Sequence, residues 1–200
     1  MLKIIKNILV CLCVLFYISK YSYAIDENAA IKYIEEVGQQ AINILKTPIE
    51  DLKTRELLFA KMLNNNFDKK LIHRAVLGRA SKGALKAELD RFGIAFNKHI
   101  VKVYASQLGV YSNQLFIIDK AFKKGKKDTI VSTHIEHETA PPLRIDWRLR
   151  DRGEGIKIID IAIEGVSLLA TKRADFGASI KKGGLHALII DLETKNAENK

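Results

Sequence analysis

The segment with the densest set of metal-binding side chains is His134 to Glu138, which holds two histidines and two glutamates in five residues. Imidazole and carboxylate groups are ligands that Zn²⁺ accepts. The segment is predicted to form a strand, however, and successive side chains of a strand point to opposite faces. His137 therefore points away from His134, Glu136 and Glu138, and the compact set that zinc prefers does not form. We predict no metal site.

The remaining histidines and the cysteines offer no reactive set either. His73 and His99 lie on predicted helices without a ligand-type residue one turn away, and His186 is isolated near the C-terminus. Cys11 and Cys13 lie within an N-terminal apolar run that we interpret as part of a cleaved signal peptide. The mature chain then has neither a reactive thiolate nor a disulfide.

One pair of carboxylates, Asp160 and Glu164, is spaced so that it could in principle perform acid–base chemistry. Nothing in the sequence places a substrate between them. Ser167 lies in no Gly-x-Ser-x-Gly elbow and is better explained as the N-cap of a helix. The Gly153-Glu154-Gly155 run is a turn rather than a dinucleotide-binding loop. We predict no catalytic residue and no cofactor.

The N-terminus has the features of a secretory signal peptide. A short basic start precedes the apolar run from Ile8 to Ile18, and Ser22-Tyr23-Ala24 provides a small-x-small cleavage site. The apolar run is too short to span a bilayer comfortably. We predict a signal peptide over residues 1–24 and a single exported mature domain over residues 25–200.

The mature chain is basic and long enough to bury a core. Loss of the signal peptide lowers the formal net charge from +10 to +7. A basic exported protein more plausibly meets anionic membrane surfaces than nucleic acid, so we expect peripheral membrane contact and no nucleic-acid partner. The charge is equally consistent with a role in solubility alone.

Apolar residues recur at helical spacing through the first half of the mature chain. Helices are predicted over residues 25–46, from about 49 to 63, over 68–78 and over 82–108. Asp68 is the expected N-cap of the third helix and Gly78 its stop.

The pattern then changes to alternation, and four strands are predicted over residues 114–122, 129–136, 143–150 and 156–163. A final helix over 168–192, with a break at Gly183-Gly184, precedes a disordered tail over 194–200. Helices followed by a meander predict an α+β fold in which N-terminal helices pack on an antiparallel sheet of about four strands.

Several motifs resemble the MlaC (toluene-tolerance) family of periplasmic phospholipid-binding proteins. They are Phe67-Asp68, Val76-Leu77-Gly78-Arg79, Ile145-Asp146-Trp147, the strand Gly155 to Asp160, the segment Ile163 to Leu168, and Arg173 with Phe176. The similarity covers about residues 31–192.

The resemblance implies a curved antiparallel sheet of the nuclear-transport-factor type, with an internal apolar cavity that carries phospholipid as cargo. Together with the signal peptide, it also implies a monomeric carrier that is located in the periplasm and maintains the lipid asymmetry of the outer membrane. The partners would be an inner-membrane ABC transporter with a lipid-binding ring protein and an outer-membrane lipoprotein–porin complex.

A soluble carrier must enclose both acyl chains, because about 30 methylenes at roughly 0.8 kcal/mol each would cost on the order of 25 kcal/mol in water. The aromatic stripe of the long helix and the inner face of the last strands would provide the walls. The predicted lipid-binding residues are Phe92, Phe96, Val103, Tyr104, Ile145, Trp147, Ile159, Ile161 and Val166. These side chains could equally pack on one another as an ordinary core.

Two other functions remain open at this point. One is a periplasmic hydrolase of lipid or peptidoglycan that uses Asp160 or Glu164, and the other is a protein-interaction module without a cavity. The four lysines of the turn from Lys123 to Lys127 could attract anionic lipid, or simply form a solvated hairpin.

Overall fold

The computed structural model describes residues 24–107, 114–136 and 141–198. The predicted signal peptide lies outside these residues except for Ala24, as do His137 and Glu138 of the histidine-rich segment. Within the three described ranges, no helix is both long and apolar enough to cross a membrane.

The first half of the chain is helical, as predicted. Its helices are α1 (Glu27–Leu45), α2 (Leu52–Asn66), α3 (Lys69–Leu77), α4 (Ala80–Gly83) and α5 (Lys86–Gln107). Asp68 caps α3 by accepting a hydrogen bond from the Leu71 amide at 2.9 Å, and Gly78 ends it with a φ of 57°. The long helix was predicted from residue 82, but the chain forms the short α4 there and α5 begins at Lys86.

The second half forms an antiparallel sheet with the strand order β1-β2-β3-β4-β5. The strands are β1 (Leu115–Lys124), β2 (Asp128–Glu136), β3 (Leu143–Asp151), β4 (Ile156–Ile163) and β5 (Val166–Ser167). The predicted four-strand meander is confirmed, and the two-residue β5 extends it. A bulge falls in the pairing of β3 with β4, where Arg148 pairs with Asp160 but Leu149 pairs with Ile158.

The final helix, α6 (Leu168–Glu198), follows the sheet directly. Gly184 has non-helical dihedral angles inside it, which confirms the predicted break. The helix extends further than predicted, so residues 194–198 are helical rather than a disordered tail. The buried side chain of Asn196 explains this extension, since its amide nitrogen donates to the carbonyl oxygen of Ala95 on α5 at 2.9 Å.

Buried apolar residues form three clusters. The first, which we name the α1 core, joins α1 to the sheet and contains Ile25, Ala30, Ile34, Val37, Val131, Ile145, Trp147, Leu149 and Ile158. The second joins α3, α5 and α6 around Phe92, Phe96 and Phe176. The third lies between α1, α2 and α5 around Phe59 and Met62.

The face of the sheet opposite the α1 core carries the charged residues of β3. Arg148 and Arg150 alternate along β3 with the buried Trp147 and Leu149, and both guanidinium groups bind the carboxylate of the nearly inaccessible Asp128. Burial opposes ionisation of Asp128, but the hydrogen bonds from Arg150 and Arg148 outweigh it and hold the pKa of Asp128 below its usual value.

Candidate functional site

An apolar cleft of about 110 Å³ lies between β4 and the helices α2, α3, α5 and α6. We name it the β4 cleft. Its apolar lining residues are Leu63, Phe67, Ile72, Val76, Phe96, Ile100, Tyr104, Ile159, Ile161, Leu168 and Leu169. Its polar lining residues are Lys69, His73, Asn97, Asp160 and Lys172.

The α2–α3 junction is fixed to β4 by its backbone. Phe67 forms an isolated parallel bridge with Ile158, and the Asp68 amide donates to the Ile158 carbonyl oxygen at 3.0 Å. The same Asp68 then caps α3 and receives a hydrogen bond from Arg152 at 3.1 Å. One end of the cleft is thereby held in place by hydrogen bonds.

The start of α6 is fixed to β4 by a carboxylate. Asp160 accepts hydrogen bonds from the Ser167 hydroxyl at 2.6 Å and from the Leu169 amide at 3.1 Å. Ser167 in turn caps α6, since its hydroxyl accepts from the Ala170 amide at 3.0 Å, which confirms the N-cap predicted at this position. Both oxygens of Asp160 therefore stabilise the backbone at the second end of the cleft.

The part of the helical wall around His73 is aromatic. The His73 ring packs edge-on against Phe92 and Phe96, with centroid distances of 5.8 and 5.4 Å. Its Nε2 forms a hydrogen bond of 2.9 Å with Asn97. Burial lowers the pKa of His73, and the charge of Lys69 adds to this effect, which together outweigh the hydrogen bond with Asn97. A neutral imidazole can border an apolar space without the desolvation cost of a buried charge.

The structure brings four of the nine predicted lipid-binding residues together in the β4 cleft. Phe96 and Tyr104 lie on α5, and Ile159 and Ile161 lie opposite them on β4. Phe92 is fully buried behind this wall, stacked on Phe96 at 5.4 Å.

The other four predicted residues lie elsewhere. Ile145 and Trp147 belong to the α1 core, where the Trp147 indole donates to the Thr133 hydroxyl at 3.0 Å and packs against Phe116. Val103 is half-buried on α5 outside the cleft lining, and Val166 is 60% exposed on β5. Trp147 and Phe96 therefore lie in different clusters and do not line one cavity together, because α1 packs against β3 at Trp147 and the cleft lies at β4.

Sequence reasoning missed the lining supplied by α2, α3 and α6. Leu63 and Phe67 come from the end of α2 and the residue after it, and Leu168 and Leu169 begin α6. Ile72, His73 and Val76 show the three-and-four spacing of a buried helical stripe. That spacing predicts burial of α3 but does not identify the element that the stripe faces.

The second carboxylate considered for catalysis also has a structural partner. Glu164 occupies the β4–β5 turn with a φ of 49°, and its side chain accepts a hydrogen bond from the Arg144 amide at 2.6 Å. Asp146 likewise accepts from the Ser132 hydroxyl at 2.6 Å. These carboxylates hold the hairpin and its exit turn in place.

Two comparisons with known proteins agree with this architecture. The sequence model of the family described as MlaC protein matches residues 35–194. The fold is similar to that of a phospholipid-binding protein from Ralstonia solanacearum, whose structure was solved in complex with a phospholipid. The two chains share 21% sequence identity, the match covers 84% of this chain and 97% of that one, and the TM-score is 0.75.

Proposed function

The chain belongs to the MlaC protein family, and from that premise we propose that it is a phospholipid carrier that holds acyl chains in the β4 cleft. The observation that carries the proposal is the lining of the cleft, which is almost wholly aliphatic and aromatic and includes a neutral imidazole. A lining of this kind favours hydrocarbon over polar ligands. The phospholipid bound to the similar Ralstonia protein supports the same class of ligand.

Loading requires the cleft to widen. Its volume of about 110 Å³ is below the roughly 300–1,000 Å³ of ordinary ligand pockets. Hydrogen bonds join the helices to β4 at the Asp68 and Ser167 ends, whereas the contacts between those ends are apolar. We propose that α3 and α6 separate from the middle of β4 as acyl chains enter, because apolar contacts have no directional hydrogen bonds to break.

We further propose that the protein acts in the periplasm after removal of residues 1–24, as a monomer and without enzymatic activity. It would shuttle phospholipid between an inner-membrane ABC transporter with a lipid-binding ring protein and an outer-membrane lipoprotein–porin complex, and so maintain outer-membrane lipid asymmetry. The structural use of Asp160 and Glu164 supports a carrier over a hydrolase. N-terminal sequencing of the protein from a periplasmic fraction tests the export step, and a chain that still begins at Met1 would contradict it.

The binding proposal is tested by extraction. Protein purified under native conditions is extracted with organic solvent, and the extract is analysed by mass spectrometry. We expect phospholipid in the extract and uptake of labelled phospholipid from vesicles by the delipidated protein. If neither is found, the proposed function is wrong.

A matched pair of substitutions tests whether the β4 cleft is the binding site. Ile161→Trp adds bulk to a half-buried lining residue, whereas Ile94→Trp adds the same side chain at a position on α5 that is 73% exposed. We expect Ile161→Trp to remain folded and to lose most uptake, while Ile94→Trp retains it. Equal uptake by both folded variants would place the acyl chains elsewhere.

A further inference from the structure

The rim of the β4 cleft carries an ammonium group that has no close hydrogen-bond partner among the described residues. Lys172 lies on the second turn of α6 and lines the cleft, and its side chain is only 22% exposed. Its Nζ lies 3.7 Å from an Asp175 carboxylate oxygen, which is beyond hydrogen-bonding distance. Asp175 is itself 53% exposed, so this ion pair is loose and hydrated.

A hydroxyl group faces the same cleft from α5. Tyr104 lines the cleft and is half-buried, and its hydroxyl forms no hydrogen bond with any residue that the structure describes. Burial raises the pKa of Tyr104, and the negative charge of Asp175 raises it further, so the phenol keeps its proton at neutral pH. Lys172 and Tyr104 thus both line the β4 cleft, one from α6 and one from α5.

The other polar groups of the lining already have partners. Asp160 is bound by Ser167 and by the Leu169 amide, and His73 is bound to Asn97. The ammonium group of Lys69 donates to the Asn64 side chain at 2.7 Å. Among the described residues that line the cleft and carry a side-chain donor, Lys172 and Tyr104 are therefore the two whose side chains form no hydrogen bond.

We propose that the Lys172 ammonium and the Tyr104 hydroxyl together bind the phosphate group of a phospholipid whose acyl chains fill the β4 cleft. The inference rests on the proposed function and adds the position of the head group to it. A cation and a neutral hydroxyl are both donors to phosphate oxygens, and hydrogen bonds to an ionised group are shorter and stronger than neutral ones. The adjoining aliphatic wall then receives the tails. Asp175 acts against this binding, since its carboxylate competes for Lys172 and repels the phosphate.

The test uses the delipidated full-length mature protein and two ligands with the same acyl chains, phosphatidylglycerol and diacylglycerol. The variants are Lys172→Gln and Tyr104→Phe, and the control is Lys181→Gln, which removes the same charge from an exposed position on α6 outside the cleft. We expect each rim variant to bind phosphatidylglycerol about tenfold more weakly and diacylglycerol unchanged. We expect the control to match the wild type for both ligands.

The outcomes separate this inference from the proposed function. If the wild type binds neither ligand, the proposed function fails. If it binds both, and the rim variants lose phosphatidylglycerol no more than the control does, only the head-group position is wrong. An equal loss of both ligands would mean that Lys172 and Tyr104 act on the cleft as a whole rather than on the phosphate.

Two further measurements sharpen the assignment. Asp175→Asn should bind phosphatidylglycerol more tightly, by up to about fivefold, and unchanged or weaker binding would contradict the proposed competition. Inorganic phosphate alone is the second probe, and its ³¹P signal is followed as delipidated protein is added. Negligible binding is expected because no acyl chain anchors the ion, whereas phosphate binding as tight as that of the lipid would assign the rim to a free anion instead.

Discussion

The sheet has one apolar face but two different covers. Over β1, β2 and β3 the cover is α1, and the side chains between them form the solid α1 core around Trp147. Over β4 the cover is α3 and α6 together with parts of α2 and α5, and the β4 cleft remains between them. Both regions use the same residue types, so composition does not explain why one is filled and the other is open.

The distance between helix and sheet explains the difference. At Gly38, α1 lies so close to β1 that an added Cβ atom would stand 2.5 Å from Cε1 of Phe116. Over β4, the helices are instead attached at the two ends of the cleft by polar groups, Asp68 and Asp160. Two helices that are each attached to β4 only at their first residues leave space between them, whereas a helix that packs directly through a glycine does not.

The largest expected effect contrasts a side chain of the α1 core with one of the β4 cleft. Trp147→Ala removes a large buried side chain from a filled core and should lower the free energy of unfolding by about 3–5 kcal/mol. Ile161→Ala should cost clearly less, because its side chain is only half-buried and borders an existing cleft, but it should reduce lipid uptake. Urea unfolding monitored by far-UV circular dichroism measures the loss of stability in each variant. Equal losses of stability would remove the distinction between the two regions.

A smaller effect is expected from adding a methyl group where α1 packs against β1. Gly38→Ala forces Phe116 to move, and overpacking of this kind costs about 1–3 kcal/mol, reduced by the better helix propensity of alanine. Gly177→Ala on α6 is the matched control, since nothing lies within 4 Å of its added Cβ atom. The control should be stabilised by up to about 1 kcal/mol. Thermal unfolding of the two variants compares them directly, and a stabilised Gly38→Ala would show that α1 has space to spare.

Stability should also depend on pH, because a half-buried histidine lines the cleft. Because burial lowers the pKa of His73 in the folded protein, the unfolded chain binds a proton below pH 6.5 that the folded protein resists. The contribution of His73 to the free energy of unfolding should therefore be fully present above pH 6.5 and should be lost as the pH decreases toward the folded-state pKa. His99 has a lowered pKa for the same reason and acts in the same direction. Unfolding curves at about pH 7.5 and 5.5 should show a smaller loss for His73→Gln than for the wild type, and an equal loss would exclude His73 as the cause.

The smallest effect is expected at Val166, a predicted lipid-binding residue that lies in neither region. Its side chain is 60% exposed on β5. Val166→Ser should change the free energy of unfolding by less than about 0.5 kcal/mol and leave lipid uptake unchanged. A substantial loss of uptake, measured with labelled vesicles, would extend the binding site beyond the β4 cleft.

Much of the local structure followed from the sequence. Asp68, Gly78 and Ser167 could be assigned as helix boundaries because capping depends on a side chain and the backbone within a few residues of it. The strands β3 and β4 were predicted almost to the residue, since alternation of apolar and polar side chains is a local pattern. The break at Gly184 was predicted for the same kind of reason.

The separation of core from cleft was decided by tertiary structure alone. Trp147 and Ile161 are directly paired across β3 and β4, yet Trp147 is part of the α1 core alone, whereas Ile161 packs against that core and also lines the β4 cleft. Apolar periodicity predicts that a side chain is buried but does not identify the element that covers it, because the covering helix is distant in sequence. How closely that helix approaches the sheet depends on Gly38 and on the hydrogen bonds of Asp68 and Asp160. The sequence by itself therefore determined the order of helices and strands and the apolar face of the sheet. The tertiary structure decided which part of that face is covered by a filled core and which part borders a cleft.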